Sequence, residues 1–94
     1  LKDFMKEKEP TAEVYFLLSY AEIKTGDLTK AKEHLHTAIQ MRNDFHEAYY
    51  NLALIYIDEG NSKDALENAE KAAEIMPKQK EYQQLIDKIN NAGF

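Results

Sequence analysis

The 94-residue chain contains no cysteine, which excludes disulfides, thiolate metal ligands and cysteine nucleophiles and leaves the redox compartment open. It has no long apolar run. The longest is a handful of residues, far short of the roughly 20 needed to span a bilayer. Nor does a charged start followed by an apolar segment mark a secretory leader, so membrane insertion is not expected and the cytoplasm is the default location. Basic residues are in deficit, 12 against 17 acidic ones, for a net charge of -5. Without a Lys/Arg cluster there is no basic stripe to release counterions from phosphates, which weighs against nucleic acid as a partner. The chain opens on Leu1 rather than Met, as an excised domain, a proteolytic fragment or a processed chain would, so part of its function is expected to lie outside it.

What the chain does have is a copy of itself. A shift of 34 residues superimposes Glu13 on Glu47, Tyr15 on Tyr49, Leu18 on Leu52 and Ile23 on Ile57, then Gly26 on Gly60, Ala31 on Ala65, Glu33 on Glu67 and Ala38 on Ala72. Identities at one fixed offset, mainly at apolar, small and glycine positions, indicate a structural repeat. Two units follow, residues 12–45 and 46–79.

Each unit breaks once, at Thr25-Gly26-Asp27 and at Glu59-Gly60-Asn61. Glycine costs about 1 kcal/mol in a helix interior, and Gly followed by Asp or Asn is turn chemistry, so each unit reads as two helices. Thr11, the Asp44-x-x-Glu47 pair and Asn61 or Ser62 are expected N-caps, the second resembling a capping box, and Pro77 closes the second unit. After it, Tyr82, Leu85, Ile86 and Ile89 form one apolar stripe, which predicts an amphipathic capping helix within residues 80–94. Leu1, Phe4 and Met5 recur at helical spacing in residues 1–10, as the last turns of a preceding helix would.

The second unit reads Tyr49-x-x-Leu52-Ala53-x-x-Tyr56, then Ala65-x-x-x-Ala69-x-x-Ala72, then Pro77. The first reads Tyr15-x-x-Leu18-Ser19-x-x-Glu22, then Ala31-x-x-x-Leu35-x-x-Ala38, with Asn43 in the place of the proline. This pattern resembles the tetratricopeptide repeat, with Glu22 departing from it where a tyrosine is usual. The resemblance implies an all-α fold of antiparallel helix-turn-helix repeats stacked as a short right-handed superhelix, and a non-catalytic role in binding other proteins. Small side chains at Ala31, Ala38, Ala65, Ala69 and Ala72 let paired helices approach closely, with Tyr15, Leu18, Tyr49 and Leu52 filling the space opposite.

At about 100° per residue the first helix of each unit has three faces. Tyr15, Leu18 and Glu22, with Tyr49, Leu52 and Tyr56, should meet the second helix of their own unit. Val14, Leu17 and Ala21, with Ala48, Asn51 and Ile55, should meet a neighbouring helix in the stack. The third stripe holds Glu13, Phe16, Tyr20, Ile23 and Lys24, then Glu47, Tyr50, Leu54, Ile57 and Asp58. In the family this surface resembles the lining of a concave groove. The resemblance therefore implies a partner-binding site formed by Glu13, Phe16, Tyr20, Lys24, Glu47, Tyr50, Asn51, Leu54 and Asp58. Packing within the array is the competing reading for each aromatic taken singly. Together they form an apolar patch that a partner peptide, a second copy of the chain or further repeats would cover.

Some relatives clamp a C-terminal carboxylate with two lysines, two asparagines and an arginine. The corresponding positions here are Phe16, Tyr20, Asn51, Glu81 and Leu85, of which only Asn51 agrees, so that mode is rejected. His34 and His36 are two apart and point in different directions, unlike an i, i+4 zinc pair, and are expected to be exposed helix histidines. No metal, cofactor, phosphate loop or nucleophile with its base is expected. The chain reads as a scaffold or adaptor. The alternatives are an accessory, substrate-positioning segment of a larger enzyme or assembly apparatus, and a self-association module. The close helix approach makes a first prediction: Ala72→Leu should destabilise the fold by about 1–3 kcal/mol through overpacking, measured by thermal melting.

Overall fold

The computed structural model describes residues 10–92, which form five helices and no strand. They are α1 (Ala12–Thr25), α2 (Leu28–Met41), α3 (His46–Asp58), α4 (Ser62–Ile75) and α5 (Lys80–Ala92). The expected helical remnant at Leu1, Phe4 and Met5 lies outside the described residues.

Three starts are fixed by side-chain caps that satisfy otherwise free backbone donors. Thr11 Oγ1 accepts from the Val14 amide at 3.3 Å, Asp27 Oδ1 from Lys30 at 3.3 Å and Asn61 Oδ1 from Asp64 at 3.2 Å. The expected cap at Asp44 does not form. The N-cap of α3 is Phe45, which makes no side-chain cap bond, and the Asp44 carboxylate lies 3.6 Å from Arg42 Nε instead. The Phe45 carbonyl accepts from the Ala48 and Tyr49 amides at 3.1 and 3.3 Å, and its side chain is 4% exposed, 5.0 Å from the Phe16 ring and 4.4 Å from the Arg42 guanidinium.

Both hairpin turns use one geometry. Gly26 (φ 87°) and Gly60 (φ 78°) adopt the left-handed conformation that an L side chain resists. This lets Asp27 and Asn61 donate to the Glu22 and Tyr56 carbonyls at 2.9 and 2.8 Å, while the glycine amides donate to Ile23 and Ile57.

Inside each hairpin the helices meet along fully buried small residues. Ala31, Ala38, Ala65, Ala69 and Ala72 are all 0% exposed, as is Leu35. The hairpins stack through Ala48, Leu52 and Ile55 of α3, which share a core with Ala31, Leu35 and Ala38 of α2. A second core joins Ala53, Ala65 and Ala69 to Leu85, Ile86 and Ile89 of α5, as expected for a capping helix.

The first hairpin departs from expectation in three places. Val14, Leu17 and Ala21 are exposed rather than covered, with Leu17 at 64%. Among the described helices none lies on the side of α1 that α2 occupies relative to α3. For the same reason Leu18 is 43% exposed while its counterpart Leu52 is 1% exposed. His34 is not an exposed histidine: its Nδ1 donates to Glu22 Oε1 at 2.8 Å, and its ring lies 5.7 Å from Tyr15. The acid in the tyrosine position is thus satisfied by a histidine from the facing helix.

The cap α5 is tied to α3 by a polar contact as well as by burial. The Tyr82 phenol is hydrogen-bonded to His46 Nδ1 at 2.6 Å, and its ring lies 5.0 Å from that of Tyr50. Burial, with smaller contributions from Glu47, Tyr50 and Glu81, pushes the phenol up to about 12 from its ordinary 10.0. Since the folded state holds this proton more tightly than the unfolded one, the associated stability is complete below pH 10 and is lost as the pH rises toward 12. Titration followed by phenolate absorbance should therefore show one late-ionising tyrosine that disappears in Tyr82→Phe. A wild-type titration without a late step would contradict the buried docking of α5.

Candidate functional site

The stacking turns α1 and α3 side by side, so the stripe each carries beside its own hairpin partner opens on one surface. Between them lies a cleft of about 530 Å³. Its walls are Tyr20 and Ile23 from α1 and Asn51, Leu54 and Asp58 from α3, with Ile55 beneath and Leu28 at one end. Tyr20 and Leu54 are 51% and 41% exposed, unusual for large apolar side chains held on rigid helices. The Ile55 side chain, at 2%, belongs to the core and closes the floor. A smaller cleft of about 230 Å³ lies between α3 and α5, lined by Tyr50, Leu85, Glu81, Gln84 and Lys88.

Of the residues singled out in the sequence, Tyr20, Asn51, Leu54 and Asp58 converge on the larger cleft, and Tyr50 lines the smaller one. The other four line neither. Phe16 is half-buried against Phe45 and the first core. Glu13 accepts from Arg42 Nη1 at 2.7 Å, and Glu47 Oε1 lies 3.3 Å from His46 Nε2. Lys24 places its ammonium 5.0 Å from the centre of the Tyr20 ring, where the π face attracts it.

Ile23, Gly26, Leu28 and Ile55 also line the larger cleft and are absent from the site expected from the sequence. Leu28 reaches the cleft because the left-handed turn at Gly26 folds the start of α2 back beside α1. The residues of α5 were legible: the same 34-residue shift carries Glu47, Tyr50 and Leu54 onto Glu81, Gln84 and Lys88. Reading α5 only as a lid over the second core hid that its other side continues the surface.

The larger cleft combines apolar walls with one amide and one carboxylate. Among the described residues no buried side-chain nitrogen or oxygen lacks a partner, no cluster of His, Asp and Glu could hold a metal ion, and no helix is long and apolar enough to cross a membrane.

Comparison with known proteins agrees with this architecture. A family model described as tetratricopeptide repeat matches residues 22–89. The photosystem I assembly protein Ycf3 of Prochlorococcus marinus is 32% identical over 75 residues, with 77% of this chain and 43% of that protein covered. Two crystal structures of MamA superpose with TM-scores of 0.85 and 0.83 at 29% and 30% identity, over 88% and 94% of this chain. Each of those MamA chains is covered over 48% of its length, so this chain spans a little under half of the relatives it matches. The repeat pattern, the stacked hairpins and these likenesses together place the chain in the tetratricopeptide repeat family, a family of protein-interaction modules built as all-α helical solenoids.

Proposed function

We propose that this chain is a non-catalytic scaffold or adaptor that takes a peptide or helix of a partner protein on the surface shared by α1, α3 and α5. In this reading residues 12–45 and 46–79 are the two repeats, residues 80–94 cap them, and the larger cleft is the centre of the site. The observation that carries the proposal is the pair Tyr20 and Leu54, half-exposed across an open apolar cleft whose floor is core. Leaving such side chains in water is unfavourable, and covering them with a partner's apolar side chains recovers that free energy. Tyrosine also adds a hydroxyl to its apolar area at low entropic cost, which suits interfaces. Asn51 supplies a hydrogen-bonding group within the cleft and Lys24 stands against its Tyr20 wall, while Glu13, Phe16 and Glu47 lie outside it.

One of the relatives is named as an assembly protein, which favours a related placement for this chain: a partner-positioning segment of a longer assembly factor. Both readings use the same surface and differ only in what flanks it.

The clean test avoids Tyr50, because its ring packs on Tyr82 and its truncation would loosen α5 as well as remove a contact. Tyr20→Ala and Leu54→Ala should each weaken partner binding by about 2 kcal/mol, as at interface hot spots, while changing thermal stability by less than about 0.5 kcal/mol. The partner is first identified with a photo-crosslinking residue at position 54 and one at Glu70, which is exposed on α4. Crosslinks from position 70 with none from position 54, or affinity unchanged in both variants, would overturn the proposal.

A further inference from the structure

Resting on the groove reading, the electrostatics of the larger cleft specify its occupant further. Asp58 is the one carboxylate lining it, and no Lys, Arg or His lines it. It has no hydrogen-bond or ion-pair partner among the described residues, in contrast to Glu13, which Arg42 neutralises, and Glu47, which lies beside His46. The cation next along α1, Lys24, is drawn over the Tyr20 ring.

Asp58 is also placed against its own helix. It is the last residue of α3, where the macrodipole already presents partial negative charge, and a carboxylate there is unfavourable. The parallel helix α1 ends at the same end of the cleft, whose lining includes Gly26, and α2 starts beside it at Leu28, so Asp58 brings the one side-chain carboxylate to that space. With a chain of net charge -5 around it, the unpaired Asp58 carboxylate favours a cation at this corner of an apolar cleft. The smaller cleft differs: Glu81 and Lys88 both line it, so it favours neither sign.

We infer that the larger cleft takes an amphipathic segment of a partner protein. Its apolar side chains lie between Tyr20 and Leu54, and a lysine or arginine reaches Asp58 beside the ends of α1 and α3. A basic residue within an apolar segment satisfies both features of the cleft, and a purely apolar or acidic segment leaves the carboxylate unpaired or repelled.

The test pans a display library of random linear peptides on the full chain and on its Asp58→Lys variant. Peptides whose binding to the wild type requires Tyr20 and Leu54 should carry Lys or Arg among apolar residues. Asp58→Lys should select acidic residues in their place. For the wild-type peptides, Asp58→Asn should weaken binding about fivefold, as an exposed ion pair allows, with the loss shrinking as salt is added. The same substitution should leave the melting temperature unchanged or slightly raised, since it relieves the helix end, so a folding defect is separable from lost recognition. Tyr20- and Leu54-dependent peptides without a basic residue, or with equal affinity for Asp58→Lys, would overturn this inference and leave the groove reading standing. If no peptide depends on Tyr20 and Leu54, the groove reading fails and this inference with it.

Discussion

The close approach of paired helices along buried alanines is the constraint on which the structure depends. Ala31 and Ala38 in the first hairpin, and Ala65, Ala69 and Ala72 in the second, leave no surface to solvent. A methyl group at each crossing sets the spacing of the two helices, and a larger side chain would force them apart. That spacing fixes where the next helix can pack, because Ala48, Leu52 and Ile55 of α3 seat on the same core as Ala31, Leu35 and Ala38. The turns are matched to it: Gly26 and Gly60 reverse the chain in one left-handed residue, too short a connection for the helices to separate.

Within this frame the two hairpins solve one position differently. In the second, Tyr56 packs in both cores and its ring lies 5.3 Å from the Lys32 ammonium, which also bonds Glu59 at 2.8 Å and so links α2 to the end of α3. In the first, Glu22 occupies the equivalent place and His34 approaches from α2 to satisfy it. A carboxylate with its side chain only 18% exposed would be costly without that donor. The replacement exchanges an apolar contact for a polar pair in the hairpin whose outer face, at Val14, Leu17 and Leu18, is also the less covered one.

The proposed groove follows from the same stacking. Each hairpin presents its first helix to one surface, so side chains that face neither their own partner helix nor the stack are left facing outward together. Tyr20 and Leu54 meet there although they lie far apart in the chain, and Asp58 joins them because α1 and α3 run parallel and end at the same level. The cap continues the surface while closing the core: Tyr82, Leu85, Ile86 and Ile89 turn inward, and Glu81, Gln84 and Lys88 turn outward.

The sequence by itself determined the helices, their pairing and their turns, because these rest on local chemistry: one 34-residue offset, alanines at helical spacing, Gly followed by Asp or Asn, and a one-sided stripe in α5. It also marked Tyr20, Leu54 and Asp58 as facing one way, with Asn51 in the adjoining stripe. Only the tertiary structure decided which side chains of that stripe remain available. Phe16 is drawn into the packing around Phe45, and Glu13 is claimed by Arg42. Only the fold could likewise place a phenylalanine at the start of α3 where an aspartate was expected to cap it, and a histidine beside Glu22. The reason is physical. Periodicity fixes the direction of a side chain from its own helix, whereas burial and pairing depend on what arrives from another helix, 12 to 36 residues away in these contacts.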